Sequence, residues 1–168
     1  PKPRFRRGFL VPDGRRARRT LTGRMFPQPR VAFPGGEERL LDHALGDGFA
    51  LIRYGADGDA SFEGVDQSLW DRLGAKRVSI VPAGGVARRI DDRLVVVDRE
   101  GTLPRILHDY RGDVLAIRPD RYGLGAFHPK RAAAFALAVE QTIEGSSPSR
   151  RRVTDATGAS RARAFRSA

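Results

Sequence analysis

The 168-residue sequence contains no cysteine, which excludes disulfide bonds, thiol catalysis and thiolate metal sites. This absence is typical of a cytoplasmic protein. No run approaches the roughly 18 apolar residues that a membrane-spanning helix needs, and no apolar stretch follows the basic N-terminus as in a signal peptide. With 40% hydrophobic and 30% charged residues, the composition favours one ordinary soluble domain with additional segments.

Histidine is also scarce, and the spacing of the three histidines predicts no metal site. His43, His108 and His128 are too far apart for a short zinc motif such as His-Glu-x-x-His. His128 precedes Pro129, a residue suited to the first turn of a helix, so a capping role is the simpler interpretation there. Surface or capping roles are therefore favoured for all three.

Other catalytic patterns are missing as well. The acidic pairs at 37–38 and 91–92 are adjacent in the chain, so their side chains diverge, and solvated charges explain them better than an acid–base dyad. No serine stands in a Gly-x-Ser-x-Gly context. The Gly-Leu-Gly sequence at 123–125 lacks the third glycine and the following helix of a dinucleotide-binding loop. It predicts close backbone packing or a bulge.

The net charge of +11 is concentrated at the two ends of the chain. Residues 1–30 carry +9 with Asp13 as their one acidic residue, residues 146–168 carry +5, and residues 31–145 carry −3. Basic ends can bind phosphate backbones, yet they are equally typical of linkers and solvated tails. Arginine supplies almost all of this charge, a bias typical of a GC-rich bacterial genome, because only three lysines are present.

Hydrophobic periodicity divides the chain into three parts. Residues 1–30 are predicted to be a basic extended arm or linker from a preceding domain, residues 31–145 a folded domain, and residues 146–168 a disordered basic tail. The apolar spacing in the middle part predicts helices at 37–45, 65–73, 102–110 and 129–145, and strands at 49–54, 77–81, 94–97, 114–117 and 122–127.

The order of these elements predicts an α/β fold with a mixed central sheet and resembles the thioredoxin fold. The last two strands should form an antiparallel hairpin, because only a short connection joins them. The redox cysteines of a working thioredoxin are absent: the region near Asp66-Gln-Ser68 has no Cys-x-x-Cys pair, and the place of the neighbouring cis-proline reads Arg-Gly-Asp at 111–113. We therefore expect a structural or interaction role for this fold.

Two strings of residues carry a more specific resemblance. Residues 23–31 read Gly-Arg-Met-Phe-Pro-Gln-Pro-Arg-Val, and residues 113–122 read Asp-Val-Leu-Ala-Ile-Arg-Pro-Asp-Arg-Tyr. In this order they resemble the C-terminal part of FAD-dependent aromatic-ring hydroxylases, in particular the 3-(3-hydroxyphenyl)propionate hydroxylase and phenol hydroxylase group. The resemblance covers nearly all of residues 1–145.

Both strings are interpreted as structural. In the second, Asp120 is expected to cap a turn and pair with an arginine; the turn residues are Arg118, Pro119, Asp120 and Arg121. In the first, two prolines impose an extended path. The resemblance implies that this string joins the domain to the flavin- and substrate-binding part of the enzyme, with inter-domain contact through Phe26, Pro27, Gln28, Pro29 and Arg30.

The resemblance implies FAD and NAD(P)H as cofactors of a complete monooxygenase that hydroxylates a phenolic substrate. The Gly-x-Gly-x-x-Gly loop of that class cannot be placed in this sequence, so we expect no catalytic, cofactor-binding or metal-binding residue in this chain and no activity from it alone. The partner of this chain would be the FAD- and substrate-binding domain, or a second chain that supplies that domain. The role of this chain would be structural support or dimerisation. The alternatives are a free-standing, redox-inactive thioredoxin-like interaction protein and, less favoured, a nucleic-acid binder that uses the basic ends.

Overall fold

The computed structural model describes residues 3–55, 62–65 and 67–146. Asp66, near the place of the missing redox cysteines, and the predicted basic tail beyond residue 146 lie outside the described residues. The strands are β1 (Arg30–Ala32), β2 (Glu38–Leu40), β3 (Ala50–Tyr54), β4 (Lys76–Pro82), β5 (Arg88–Ile90), β6 (Arg93–Asp98), β7 (Val114–Ile117) and β8 (Gly123–Phe127). The helices are α1 (Asp42–Leu45), α2 (Gln67–Arg72), α3 (Leu103–Leu107) and α4 (Ala132–Ser146), with 3₁₀ turns at His108–Tyr110 and Pro129–Arg131.

The eight described strands form one mixed sheet in the order β2-β1-β6-β4-β3-β7-β8, and β5 pairs with part of β6. β3 and β4 run parallel and are connected through α2, the kind of crossover that parallel strands require. β7 is antiparallel to β3, and β8 is antiparallel to β7. The order β4-β3-β7-β8 with its three helices is that of the thioredoxin fold, so the predicted fold class is confirmed.

The apolar side chains divide between the two faces of the sheet because successive residues of a strand point to opposite sides. In β3, Ile52 packs on the face covered by α1 and α3, whereas Leu51 packs on the face covered by α2 and α4. The second face contains stacked aromatic rings, with the centroids of Phe127 and Phe135 4.3 Å apart. The helices therefore form outer layers on both sides. None of the described helices has the length and apolar character needed to cross a bilayer.

The predicted helix at 37–45 is wrong in its first half. Residues Glu38–Leu40 form β2, which pairs antiparallel with β1, and the helix begins only at Asp42. The apolar spacing is misleading at Leu40, because this side chain is 45% exposed on an edge strand. Strands β1 and β5 are also absent from the prediction, since a three-residue strand is too short to show a period. The other predicted helices and strands are present with boundaries shifted by a few residues at most.

The hairpin of β7 and β8 has the predicted antiparallel pairing, with a register shift in β7. A Cβ added at Gly123 would lie 2.4 Å from the carbonyl oxygen of Leu21, and one at Gly125 would lie 2.5 Å from that of Val11. Both glycines thus let another part of the backbone approach β8 closely. The prediction of close backbone packing at these glycines is confirmed.

Candidate docking surface along the N-terminal segment

Residues 3–29, called the N-terminal segment below, run along the edge of the sheet at β8. Backbone hydrogen bonds join the two: Val11 N donates to Leu124 O at 2.8 Å, and Gly23 N donates to Gly123 O at 2.8 Å. Phe26, 1% exposed, belongs to the core on one face of the sheet, and Val11 belongs to the core on the other. The segment is therefore packed against the described domain. The domain boundary after residue 30 stays a prediction.

A buried carboxylate, that of Asp13, anchors the middle of the segment. Its side chain is 2% exposed. It accepts hydrogen bonds from Thr20 Oγ1 at 2.8 Å, from Tyr110 OH at 3.1 Å and from the backbone N–H of Arg15 at 3.0 Å. A buried carboxylate needs such partners, because burying an unpaired charge is costly. The sequence held one signal for this site, since Asp13 is the single acidic residue among residues 1–30.

Arg15 ties the segment to the region that precedes β7. Its guanidinium forms an ion pair with Asp113 at 2.5 Å and donates to the carbonyl of Asp109 at 2.7 Å. The guanidinium carbon also lies 4.1 Å from the centroid of the Tyr110 ring, in the geometry of a cation–π contact. The sequence did not indicate these pairings, because about a hundred residues separate the partners.

The Tyr110 side chain is the centre of this network. It is 1% exposed, and its hydroxyl accepts a hydrogen bond from Leu21 N at 2.6 Å while donating to Asp13. Burial raises the pKa of Tyr110 above its ordinary value, and the hydrogen bond from Leu21 acts in the opposite direction. The hydroxyl is therefore neutral at physiological pH and serves as both donor and acceptor.

The predicted turn residues Arg118, Pro119, Asp120 and Arg121 lie together between β7 and β8. Asp120 accepts a hydrogen bond from Arg118 Nη2 at 2.5 Å with one oxygen and from Tyr122 N at 3.3 Å with the other. Arg118 also donates to Phe9 O in the N-terminal segment at 3.3 Å. The geometry is that of an Asx-type turn. Its contribution to stability stays a prediction.

Arg121 connects this turn to α1. Its guanidinium pairs with the Asp42 carboxylate and donates to the carbonyl of Gly46. The backbone of Arg121 has a φ of 68°, a left-handed conformation that costs a non-glycine residue free energy. The two contacts offset this cost and fix the turn against α1.

The predicted contact residues at 26–30 divide into two groups. The side chains of Phe26 and Pro29 are buried within this domain, and Pro29 O accepts a hydrogen bond from the backbone N–H of Leu41, the residue before α1. Pro27 and Gln28 are half-buried and Arg30 is exposed. Contact with another domain would therefore fall to these three residues, and that contact stays a prediction.

A second ionic cluster surrounds Arg77 in β4, whose side chain is 10% exposed. Arg77 pairs with Asp71 at 2.6 Å and also with Asp92 and Gln67. It joins α2 to the turn between β5 and β6. Asp92 is exposed, as expected for the acidic pair at 91–92, but it is also an ion-pair partner that the sequence did not reveal.

The histidines occupy separate places in the structure. His43 and His108 are exposed, and His128 Nδ1 accepts a hydrogen bond from Lys130 N at 3.2 Å at the start of the turn before α4. The capping interpretation of His128 is confirmed. Across residues 3–55, 62–65 and 67–146, no group of three His, Asp or Glu side chains has a geometry that could hold a metal ion.

Comparison with known proteins decides the family. Residues 23–142 match the family described as the HcaD C-terminal domain. The chain belongs to this family. The match includes both strings of residues that carry the resemblance to FAD-dependent aromatic-ring hydroxylases, and that resemblance is confirmed.

Curated relatives place this family in longer proteins. The chain is 29% identical over 148 residues to 3-(3-hydroxy-phenyl)propionate/3-hydroxycinnamic acid hydroxylase of Klebsiella pneumoniae strain 342, covering 85% of this chain and 26% of that protein. It is 32% identical over 130 residues to the Comamonas testosteroni hydroxylase of the same name, covering 76% and 22%. The chain thus spans about a quarter of the length of these relatives.

Solved structures show the same fold. The flavin-dependent monooxygenase PieE, determined with FAD and substrate, has a TM-score of 0.59 at 18% identity, covering 85% of this chain and 25% of PieE. Yeast Sco1 has a TM-score of 0.52 at 12% identity, covering 74% of this chain and 97% of Sco1. The domain therefore has the same fold as part of a flavin monooxygenase and as nearly all of the Sco1 chain in that structure.

Proposed function

We propose that this chain serves as the C-terminal structural domain of an FAD- and NAD(P)H-dependent hydroxylase of phenolic substrates. The observation that carries the proposal is the match of residues 23–142 to the HcaD C-terminal domain family. The curated relatives are named for hydroxylation of 3-(3-hydroxyphenyl)propionate and 3-hydroxycinnamic acid, which supports a phenolic acid as the substrate class. FAD would supply the oxygenation chemistry of the complete enzyme, bound by a part of it outside this domain.

The polar groups of the domain favour a supporting role over a catalytic one. The Asp13 carboxylate and the Tyr110 hydroxyl bind each other, and the Arg15 guanidinium is paired with Asp113. Arg118 and Arg121 are likewise engaged, with the N-terminal segment and with α1. Because these groups use their hydrogen-bonding capacity inside the domain, they hold its parts in place instead of acting on a substrate.

The N-terminal segment, together with Arg30 at the start of β1, is the surface that we assign to contact with the FAD- and substrate-binding part, in the same polypeptide or in a second one. Met25 and Phe5 are 37% and 44% exposed, beside the accessible Pro27, Gln28 and Arg30. Exposed apolar side chains among arginines are typical of interfaces. Self-association through β2, an edge strand of the described sheet, would extend the supporting role to the assembly of the enzyme.

The flavin content of the purified chain is the first test. The domain alone should bind no FAD, so the purified protein should show no flavin absorption and no heat of binding on titration with FAD. A flavin that co-purifies with the chain in stoichiometric amount would contradict the assignment of the cofactor to another part.

The docking assignment needs a second experiment. The tagged chain, mixed with an extract of its source cells, should retain a flavoprotein that peptide mass spectrometry identifies as an aromatic hydroxylase. Arg30→Glu reverses a charge on the docking surface and should reduce retention, whereas Arg105→Glu makes the same change at an exposed position of α3 and should not. Equal retention by the two variants would show that the surface lies elsewhere.

A further inference from the structure

Most arginines of the N-terminal segment have no carboxylate partner. The segment contains eight arginines, and three of them are engaged within the domain. Arg15 pairs with Asp13 and Asp113, and Arg4 and Arg24 each donate to a backbone carbonyl. The other five side chains are exposed, and within the described part of the chain no ion pair or hydrogen bond reaches their guanidinium groups. They are Arg6, Arg7, Arg16, Arg18 and Arg19.

Three of these five arginines stand on one turn, residues 16–19, whose backbone is fixed. Its first carbonyl accepts a hydrogen bond from the N–H of its last residue at 2.8 Å. The carbonyl oxygen of Ala17 accepts from Arg4 Nη1 at 2.8 Å and from Arg24 Nη2 at 3.0 Å. The Tyr110 hydroxyl lies 3.2 Å from the last carbonyl oxygen of the turn. The three positive charges are therefore kept on one small part of the surface.

The domain does not neutralise this charge. Grouped positive charges repel one another, and water and salt weaken the repulsion without removing it. Asp13 is the one acidic residue of the segment, but its side chain is 2% exposed and is already bound by Thr20, Tyr110 and the backbone of Arg15. A carboxylate partner for the exposed arginines would therefore come from outside the described domain.

Exposed apolar side chains beside these arginines favour a protein as the partner. Phe5 and Met25 are 44% and 37% exposed, and both adjoin Tyr122. Aromatic residues, methionine and arginine are the residue types that protein interfaces concentrate. A nucleic acid fits less well, because the Phe5 ring is not free to stack on a base: it packs against Tyr122 and lies under the guanidinium of Arg118.

We propose that the FAD- and substrate-binding part presents an acidic surface to this domain, with Asp and Glu carboxylates that pair with the five exposed arginines around an apolar contact to Phe5 and Met25. This inference rests on the proposed function and names the chemistry of the partner at the same docking surface. The arginines occupy two stretches of chain, at 6–7 and 16–19, which suits an extended surface and not a small anion such as free FAD.

The role of these pairs would be orientation more than strength. Exposed ion pairs contribute little free energy each, whereas complementary charge speeds up encounter and fixes the register of two surfaces. Arginine also binds a carboxylate through two parallel N–H groups, which adds a directional requirement. The exposed arginines would thus set how the flavin-binding part sits on the domain.

Zero-length cross-linking tests the inference. Arg18→Lys keeps the positive charge and supplies an amine, which a carbodiimide couples to a carboxylate in contact with it. The change is made in the gene of the source cells, and the native protein is purified with an antibody against the domain. Peptide mass spectrometry should find position 18 coupled to an Asp or Glu of the FAD- and substrate-binding part. Arg6→Lys tests the other stretch of chain in the same way.

Matched controls separate a specific contact from general charge. Arg105→Lys places the same amine at an exposed position of α3 and should give several-fold less coupling to the flavin-binding part. R16Q/R19Q should lower coupling at position 18 several-fold, as should raised NaCl, because salt screens exposed charges. R89Q/R105Q removes two exposed positive charges elsewhere and should leave that coupling unchanged. Circular dichroism checks that each variant is folded.

The possible failures are distinguishable. If the flavin-binding part is recovered but couples equally to positions 18 and 105, the acidic partner surface is refuted while the hydroxylase assignment stands. If the domain is recovered with no flavin-binding part, in its own polypeptide or in a complex, both are refuted. Nucleic acid that co-purifies with the unmodified protein and is lost in R16Q/R19Q would assign the arginines to nucleic acid and would also overturn the inference.

Discussion

Replacing Asp13 by alanine should destabilise the domain by about 3 kcal/mol, the lower end of the range for breaking a buried charged network. The change removes a carboxylate that is 2% exposed and that accepts hydrogen bonds from Thr20, Tyr110 and the backbone of Arg15. The lower end applies because the Tyr110 hydroxyl keeps its hydrogen bond from Leu21 N. The stability that is lost would mainly be that of the attachment of the N-terminal segment to the rest of the domain.

Thermal unfolding followed by circular dichroism measures this effect. In a protein of this size 1 kcal/mol shifts Tm by roughly 2–4 °C, so Asp13→Ala should lower Tm by about 6–12 °C. Asp13→Asn, which keeps the shape and one acceptor oxygen, should fall between the alanine variant and the unmodified protein. Asp47→Ala is the matched control, because Asp47 is exposed and surface changes of this kind usually stay within about 0.5 kcal/mol.

If Asp13→Ala melted at the same temperature as Asp47→Ala, the network around Asp13 would not anchor the segment. The docking surface would then lack the fixed position that the structure gives it. Limited proteolysis provides a second measurement, since a loosened N-terminal segment should be cleaved faster in Asp13→Ala than in the unmodified protein. If Tm fell while this cleavage rate stayed the same, the stabilisation would lie elsewhere, and the reasoning would equally be refuted.

Three further changes test other contacts. Gly123→Ala should lower the free energy of unfolding, measured by urea denaturation, by about 1–3 kcal/mol, because the new Cβ would lie 2.4 Å from Leu21 O. Gly145→Ala is the control: the space around Gly145 is open, so this change should not destabilise the protein. Asp120→Ala should lose about 1 kcal/mol, as for a cap, and an unchanged Tm would contradict the structural role of the turn. Burial raises the pKa of Tyr110, so its neutral form stabilises the fold fully below about pH 10 and less as the pH rises through the raised value. Tyr110→Phe should therefore flatten the loss of stability above about pH 10, and an unchanged slope would count against this assignment.

The longer elements of the fold were predictable from the sequence. The apolar runs of β3, β4, β6 and β7 are buried on both sides, and such strands show as continuous hydrophobic stretches. The amphipathic pattern of α4 likewise predicted a helix against the sheet. The family resemblance depended on a few turn and proline residues, and the match over residues 23–142 confirms it.

The rest depended on contacts between residues far apart in sequence. Residues 37–45 have helical spacing, yet three of them, at 38–40, pair with β1, because tertiary pairing overrides local periodicity in a short segment. The N-terminal segment shows no period, although its backbone bonds to β8 and its Asp13 meets Tyr110, 97 residues away. Arg77 and its acidic partners come together only through the fold. Local patterns hold no information on such pairs.

The most direct test of the central claim is to identify what this sequence is attached to in its source cells. Native purification with an antibody against the domain, followed by immunoblotting, flavin measurement and peptide mass spectrometry, provides the answer. The account predicts that the domain is recovered with an FAD-binding hydroxylase part, in the same polypeptide or in a stable complex. Recovery of a polypeptide of about the 18.5 kDa of this chain, with no flavin and no associated hydroxylase, would contradict it.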